Sequence, residues 1–347
     1  MATFVAHPRF RPSGVDACSS GGLPRSPIVH SPVMRILVTG ARGKVGAATV
    51  ATLTDAGHEV TATDLGRPTF EATRDAVAYK QADLTDAGDA YAVVRGHDAV
   101  VHCAAIPEPT QNAPHTVFGN NLMATFNALE AAVRFGVPRF VVLSSETVPG
   151  YFFPERPFLP DYVPVDEDHP IRPQDPYATA KHFGELLADG ATRRSDITGV
   201  SIRPSWVQWE GNYENNLGPW LREPAVSEGF WAYIDVYDLA DAIRLAAEAA
   251  TPGHEVVYIA SPDIASHEPL EALARRFHGD ATPEIRPSDE PRPSGISIAK
   301  ARRLLGYGPQ RSWRDYLDDD GRLRPEARER LERGETGVQR GRRLSGG

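Results

Sequence analysis

The stretch Arg35-Ile36-Leu37-Val38-Thr39-Gly40-Ala41-Arg42-Gly43-Lys44-Val45-Gly46 decides the fold of this chain. Its first five residues are mostly apolar and partly β-branched, which predicts a buried strand over 35–39. Apolar and small residues then recur at helical spacing from Val45 to Ala56, and Gly57 ends the pattern as a helix C-cap does. A strand, a glycine-rich turn and a helix in this order predict that the helix N-terminus offers N–H groups and a positive dipole end to a phosphate.

The turn carries three glycines, Gly40, Gly43 and Gly46. A backbone that approaches a pyrophosphate closely has no room for a Cβ atom at such points. The spacing G-x-x-G-x-x-G has one residue more than the G-x-G-x-x-G fingerprint, and glycines also serve ordinary tight turns. The strand and the helix on either side favour a dinucleotide cradle.

Asp64 stands at the end of a second predicted strand, 58–63. A carboxylate there can accept from the ribose 2′-OH of NAD and would repel the 2′-phosphate of NADP. Arg42 and Arg67 are nearby cations that could hold such a phosphate, and Asp64 could instead cap a turn. The pattern predicts NAD as the cofactor, with NADP less favoured.

Short strands and helices alternate along the chain, which predicts a parallel sheet with helices on both faces and right-handed crossovers. The further predicted strands are 77–81, 98–103, 138–143, 199–203 and 256–260. The further predicted helices are 86–95, 112–135, 175–192, 233–250, 269–278, 298–305 and 325–333. The fold class is therefore α/β, a Rossmann-type doubly wound parallel sheet with a small C-terminal substrate-binding appendage.

Composition suggests how the chain is organised. Residues 1–33 are rich in Pro, Ser, Gly and Arg and lack the apolar centre of a secretory signal, so we expect a disordered extension. Met34 is then a hypothetical native start. Residues 34–203 form the predicted dinucleotide-binding domain, 204–317 a substrate-binding region interleaved with the sheet, and 318–347 a charged tail.

Several functions are disfavoured by composition. The net charge of −9 over 347 residues, without a large basic patch, argues against a nucleic-acid partner. The sequence contains no apolar run long enough to cross a bilayer. Cys18 and Cys103 give no disulfide framework, and Cys103 is predicted to be a small core residue. His267-Glu268 does not begin an H-E-x-x-H motif, so no metal is proposed. We expect a cytoplasmic protein.

Ligands of such sheets lie beyond the carboxyl ends of the strands. The glycine turn and Asp64, Asp83, Ala104 and Ser145 all fall at those predicted ends. Small side chains at Ala104 and Ala105 permit a ligand to approach closely, although they could equally serve helix–sheet packing. The coincidence of these positions predicts a ligand crevice along the carboxyl ends of the strands.

Tyr177 and Lys181 are i and i+4 on the predicted helix 175–192, so their side chains share a face. A phenol with a pKa of about 10 is a poor base at neutral pH, and a nearby ammonium favours the phenolate. Lys181 could also donate to a nicotinamide ribose. Ser145 could donate to a substrate oxygen, and Asn121 could hold a water that relays the proton. Y-x-x-x-K is also a common surface pair, but its place after a dinucleotide cradle and a strand-end serine favours catalysis.

Together these motifs resemble the extended short-chain dehydrogenase/reductase superfamily, in its NAD-dependent epimerase/dehydratase branch, over about residues 34–317. The residues that carry the resemblance are Gly40, Gly43, Gly46, Asp64, Asp83-Leu84, 102–105, Asn121, Ser144-Ser145, Tyr177, Lys181, Arg203-Pro204, 233–240, 299–307 and Ser312-Trp313. The resemblance implies that Tyr177 is the general acid/base, that Lys181 is its pKa partner and a ribose contact, and that Ser145 donates to the substrate oxygen. The candidate cofactor-binding residues are Gly40, Arg42, Gly43, Lys44, Val45, Gly46, Asp64, Asp83, Leu84, Ala104, Ala105, Tyr177, Lys181 and Pro204.

Two positions depart from the nucleotide-sugar epimerases of that family. Those enzymes usually carry Asn where Trp206 stands and a diphosphate-clamping Arg where Trp231 stands, and their segment before Tyr233 is much longer. Without the clamp, the charge-assisted hydrogen bonds that a diphosphate needs are lost. The pair Asn216-Leu217 nevertheless resembles the epimerases.

The compact segment is more similar to uronate dehydrogenases. However, Glu146 and Thr147 stand where those enzymes have the Asn and His that point at a uronate, and a glutamate would repel a carboxylate. The Trp-rich stretch 204–231 predicts a loop-built pocket wall. The candidate substrate residues are Ser145, Glu146, Thr147, Trp206, Asn216 and Trp231.

Three functions remain open at this point. The first is an NAD-dependent oxidoreductase that moves a hydride between nicotinamide and a secondary alcohol or ketone of a small sugar-like or polyhydroxylated substrate. The second is a nucleotide-sugar epimerase or dehydratase with tightly held NAD. The third, a non-catalytic NAD-binding regulator, is disfavoured because such relatives usually lose Tyr177 or Lys181. Relatives often form homodimers through two long helices, here 112–135 and 175–192.

Overall fold

The central strand of the fold is β1, Arg35–Thr39. In the computed structural model, which describes residues 32–66 and 77–334, Ile36, Leu37 and Val38 are completely buried. Ile36 and Val38 belong to one core and Leu37 to another, because successive side chains of a strand point to opposite faces. A strand buried in this way requires helices on both sides of its sheet.

The elements alternate much as the periodicity predicts. The remaining strands are β2 Glu59–Asp64, β3 Ala78–Gln81, β4 Ala99–His102, β5 Arg139–Leu143, β6 Tyr162–Val163, β7 Thr198–Pro204, β8 Val207–Gln208, β9 Ile234–Asp235, β10 His254–Ile259 and β11 Glu284–Ile285. The helices are α1 Lys44–Asp55, α2 Ala87–Val94, α3 Pro114–Arg134, α4 Pro176–Arg194, α5 Tyr213–Asn216, α6 Gly218–Arg222, α7 Val236–Glu248, α8 Leu270–His278, α9 Ala299–Leu305 and α10 Pro325–Glu332.

Seven strands form a parallel sheet in the order β10-β7-β5-β4-β1-β2-β3. From β1 the chain moves outward through β2 and β3, then returns to place β4 on the other side of β1. Ile36 therefore lies opposite both Val60 of β2 and Ala99 of β4. The predicted doubly wound parallel sheet is confirmed, and the direction of winding reverses between β1 and β4, where sheets of this kind open a crevice for a ligand.

The helices cover both faces of the sheet. Side chains of α1 and α7 share one core, and those of α2 and α3 share the other. Helices α3 and α4 lie side by side. Among the helices that the structure describes, none has the length and apolarity that crossing a bilayer would require.

The stretch after Arg203 is more ordered than the predicted loop. It forms β8 and the short helices α5 and α6, and β8 pairs in parallel with β9. Strand β10, beyond this stretch, returns to the edge of the main sheet. From Val33 onward the described residues form one compact unit. The expectations for residues 1–31, for Arg67 and for the tail from residue 335 lie outside the described residues.

Candidate active site

The glycine turn folds back on itself at the crevice. Gly40 has φ +64, and a Cβ atom there would lie 2.7 Å from the Ala104 backbone, just beyond β4. A Cβ atom on Gly46 would lie 2.2 Å from the Gly40 carbonyl oxygen. Any larger residue at these two positions would push the turn away from β4 and from the N-terminus of α1. The turn therefore presents a narrow backbone cradle beside that N-terminus.

A cavity of about 1000 Å³ opens from this cradle along the carboxyl ends of the strands. Its wall combines the glycine turn, the strand ends, the start of α4 and the stretch 204–232. The predicted site residues in that wall are Gly40, Gly43, Lys44, Val45, Gly46, Ala105, Ser145, Glu146, Thr147, Tyr177, Lys181, Pro204, Trp206 and Asn216. The structure thus brings the predicted cradle and the predicted proton-transfer group into one cavity.

Lys44 is a cation at the cradle end of that cavity. As the first residue of α1 it stands where the helix dipole already favours an anion. Its Nζ lies 3.6 Å from the ring centroid of Trp209, and both residues line the cavity. The cation, the helix N-terminus and the glycine backbone together fit a pyrophosphate.

Asp64 is fixed at the end of β2. Its carboxylate accepts from the backbone N–H of Arg42 at 3.0 Å and from that of Leu65 at 2.8 Å. Asp83 instead accepts from the amide and the hydroxyl of Thr85. Asp64 ends β2 and Asp83 follows the neighbouring strand β3, but neither residue lines the cavity. Leu84 and Ala104, also predicted to bind the cofactor, do not line it either.

Asp175 sets the start of α4. Its Oδ1 accepts from the backbone N–H groups of Tyr177 and Ala178, at 2.8 and 2.9 Å, which caps the helix. Tyr177 is 8% exposed on the cavity wall. One helical turn on, Lys181 donates from Nζ to the Leu143 carbonyl at the end of β5 (2.5 Å), and this Nζ lies 5.7 Å from the Tyr177 ring centroid. The cap and this bond hold both side chains at the carboxyl ends of the strands.

Ser145 follows β5 and faces the same cavity. Its Oγ accepts from the backbone N–H of Thr147 at 3.2 Å and from the Thr147 hydroxyl at 3.0 Å. Both bonds use Oγ as an acceptor, so they leave the Ser145 hydroxyl proton available for donation. Thr147, predicted to contact substrate, therefore also positions Ser145.

Burial dominates the ionisation of Tyr177 and Lys181. It raises the pKa of the Tyr177 phenol to about 12, although the nearby Ser145 hydroxyl acts in the opposite direction. Burial also lowers the pKa of Lys181 to about 8. The sequence predicts that the Lys181 ammonium lowers the phenol pKa; in the structure the phenol pKa is raised instead, because burial removes the hydration that stabilises the phenolate.

Asn121 does not fit its predicted role. Its side chain is 3% exposed and lies outside the cavity wall. Oδ1 accepts from the Ile106 N–H at 2.7 Å, and Nδ2 donates to the Ile106 carbonyl at 2.9 Å. Because the amide is committed to this backbone, Asn121 fixes the loop after β4, whose Ala105 and Pro107 line the cavity, rather than holding a relay water.

The structure also contradicts the predicted substrate contact of Trp231. Its side chain is completely buried, donates from Nε1 to the Ala225 carbonyl at 3.0 Å and packs on Phe230 and Phe277. It therefore belongs to the core and not to the pocket wall. Trp206, by contrast, is 39% exposed and lines the cavity.

Several wall residues were missed by sequence reasoning. Phe152 and Phe153 follow soon after the predicted substrate residues Glu146 and Thr147, and two adjacent aromatic residues in a loop were the available signal. No sequence pattern marked Glu228 as a site residue, because acidic residues are common in polar loops. Cys103, predicted as a core residue, lines the cavity, where burial raises the pKa of its thiol to about 12.

A glycine cradle that shares a cavity with a Ser/Tyr/Lys group defines a class, the dinucleotide-dependent α/β enzymes that transfer a hydride. The model of the NAD dependent epimerase/dehydratase family matches residues 36–260. The chain belongs to that family, and it is an NAD-dependent enzyme.

Three relatives include both sugar dehydrogenases and a nucleotide-sugar epimerase. L-arabinose 1-dehydrogenase (NAD(P)(+)) of Haloferax volcanii is 29% identical over 229 residues, which are 63% of this chain and 84% of that protein. Uronate dehydrogenase of Pseudomonas syringae pv. tomato is 27% identical, over 66% of this chain and 75% of that protein. UDP-glucose 4-epimerase of Bacillus subtilis is 27% identical over 336 residues, which are 83% of this chain and 96% of that protein.

A solved structure shows the same fold. The crystal structure of a short-chain dehydrogenase/reductase superfamily protein from Agrobacterium tumefaciens with bound NAD gives a TM-score of 0.63 at 24% identity, covering 87% of this chain and 99% of that one.

Proposed function

We propose that this protein oxidises a secondary alcohol of a small sugar-like or polyhydroxylated substrate, or reduces the corresponding ketone. The observation that carries the proposal is the Tyr177 hydroxyl, which shares one cavity with the glycine cradle. No arginine is found among the described residues of the cavity wall, so the wall offers no diphosphate clamp of the kind that nucleotide-sugar epimerases use.

The bound nicotinamide would supply a hydride acceptor or donor at C4. The glycine turn and Lys44 would hold its pyrophosphate, Asp64 its adenosine ribose and Lys181 its nicotinamide ribose. In oxidation, the carbinol carbon loses a hydride while the Tyr177 phenolate takes the hydroxyl proton. Ser145 donates to the same substrate oxygen and stabilises the charge that develops there.

A nucleotide-sugar epimerase or dehydratase is the second candidate. Asn216, which resembles the epimerase pattern, does line the cavity and donates to Gln208 at 3.0 Å. In such an enzyme the hydride returns to the substrate, so no net NADH forms.

In the test, purified protein is incubated with NAD and, one at a time, with free aldoses, uronates, polyols, sugar lactones and UDP-glucose. Formation of NADH is followed by its absorbance. We expect NADH with at least one free sugar-like substrate. Tyr177→Phe should lower kcat by at least about 100-fold, because it removes the proton acceptor, while NAD binding is retained. Conversion of UDP-glucose to its epimer without net NADH would reject this proposal in favour of the second.

We also propose a homodimer. Apolar side chains on adjacent helices α3 and α4 are exposed: Met123, Phe126, Phe183 and Leu186. These four residues, called here the α3–α4 patch, suit an interface between two copies. The cytoplasmic location stays a prediction.

A further inference from the structure

Glu146 places a buried carboxyl group beside the catalytic residues. It directly follows Ser145, is 7% exposed and lines the cavity. Its backbone N–H is held by the Pro204 carbonyl at 3.1 Å. Within the described part of the chain, no group makes a hydrogen bond to its Oε2. A buried oxygen without a partner is costly unless a ligand supplies one.

Glu228 brings a second carboxyl group to the same wall. It is exposed and is followed by Gly229, where an added Cβ atom would lie 3.5 Å from Oε2 of Glu146. Burial, and then the charge of Glu228, raises the pKa of Glu146 well above its usual range. A protonated carboxyl group donates as well as accepts, whereas Glu228 supplies the negative charge of the pair.

The cations of the wall are committed elsewhere. Lys44 lies over Trp209 at the cradle, and Lys181 donates to the Leu143 carbonyl. A third acidic residue of the wall, Glu108, already accepts from Thr110 and Gln111. An anionic substrate group beside the Glu146–Glu228 pair would therefore meet negative charge and no counter-ion on the described wall.

We propose that Glu146 and Glu228 select an uncharged polyhydroxylated substrate, a free sugar or polyol, and exclude substrates that carry a carboxylate or a phosphate at this end. Hydroxyl groups can donate to the carboxylate of Glu228 and to the unpartnered Oε2, and can accept from the Glu146 proton. This inference rests on the proposed sugar oxidoreductase function and names its substrate class.

The experiment compares matched pairs that differ only at one end: galactose with galacturonate and glucose with glucuronate. The enzyme is assayed with NAD as wild type, Glu146→Gln, Glu228→Gln and the double variant. The control is Glu223→Gln, which removes an exposed carboxylate of the same segment outside the cavity. Binding of each sugar to the NADH complex is measured in parallel by calorimetry.

We expect wild-type kcat/KM for the neutral sugar of one pair to exceed that for its uronate by at least about 100-fold. Glu228→Gln and the double variant should lower this ratio by at least about tenfold, and Glu223→Gln should leave it unchanged. Because Glu228 is exposed, its variant reports on selection even if Glu146→Gln impairs folding.

Equal or better turnover of the uronates, or a ratio unaffected by both substitutions, would overturn the inference. If no sugar is turned over but the neutral sugars still bind at least about tenfold more tightly, the proposed reaction fails and the charge selection stands. If neither member of any pair is turned over or bound, the proposed reaction and the charge selection are both rejected.

Discussion

At the residue scale, the ionisation of Tyr177 leads to a prediction about how the proposed reaction depends on pH. Burial raises the pKa of its phenol to about 12, so the protonated form predominates at neutral pH. In the proposed reaction, reduction would use that form directly, whereas oxidation would need the phenolate. We therefore expect kcat/KM for oxidation to rise with pH from about 7 to 10, and kcat/KM for reduction not to rise.

Steady-state pH profiles of the wild type, Tyr177→Phe and Lys181→Met check this prediction. Lys181 is included because its pKa, lowered to about 8 by burial, falls within the same range. A rise that persists in Tyr177→Phe and disappears in Lys181→Met would assign the titration to the amine and contradict our prediction.

Gly46 provides a second test at this scale. Gly46→Ala places a methyl group 2.2 Å from the Gly40 carbonyl oxygen, so the turn must move away from the pyrophosphate position. We expect the affinity for NAD, measured by calorimetry, to fall by at least about tenfold.

Gly119→Ala is the matched control for this test. Gly119 lies inside α3, and a Cβ atom there would meet nothing within 4 Å. Alanine should leave NAD affinity unchanged and stabilise the helix by up to about 1 kcal/mol. Equal NAD affinity in the two variants would show that the cradle tolerates a side chain.

At the scale of elements, a buried ion pair joins α4 to β7. Arg203 donates from Nε and Nη2 to the carboxylate of Glu185, at 2.8 and 2.7 Å, and both side chains are buried. The Ser144 hydroxyl donates to the same carboxylate at 2.6 Å, which adds the end of β5. Burial alone would raise the pKa of Glu185, but hydrogen bonds from Arg203 hold it at about 2. The helix that carries Tyr177 is thus fixed against the strand end that carries Ser145.

Arg203→Met should destabilise the protein by about 3–5 kcal/mol, because Glu185 becomes a buried charge without a partner. Urea unfolding measures this change. The comparison is Arg275→Met on α8, which breaks an exposed pair with Glu271 and should cost less than about 1 kcal/mol. Similar losses in the two variants would mean that the buried pair is not structurally important.

The sequence predicts the strands of the sheet because most are short apolar runs, several of them beside a glycine or proline, and it predicts the long helices because small and apolar residues recur at helical spacing. The two-residue strands β6, β8, β9 and β11 are too short to show such a pattern, and their pairing depends on tertiary contacts. The cradle and the Ser/Tyr/Lys group were predictable because they occupy fixed positions at strand ends or on one helix face. The burial of the Trp231 side chain was not predictable, because a Trp-rich loop does not reveal which indoles face the core.

At the scale of the whole molecule, the exposed apolar α3–α4 patch is the surface through which we propose that two copies assemble. Phe183 and Leu186, on α4, are 41% and 51% exposed. We expect Phe183→Glu to convert a dimer to a monomer, because it places a charge in an apolar interface. Light scattering after size-exclusion chromatography measures the mass.

Glu271→Lys on α8, outside the patch, is the control and should remain dimeric. A wild type that is monomeric at micromolar concentration, or a Phe183→Glu variant of unchanged mass, would contradict assembly through this patch.

A buried tyrosine, Tyr233, joins three stretches of the chain that lie after the sixth strand of the main sheet, β7. The Tyr233 hydroxyl donates to Asp263 at 2.6 Å and accepts from the backbone N–H of Trp313 at 2.8 Å, while Trp313 itself is 1% exposed. Three stretches far apart along the chain thus meet at one oxygen atom. Anyone recombining this protein with a relative to exchange specificity would have to transfer all three stretches together, since a graft of the Trp-rich segment alone would leave this junction mismatched.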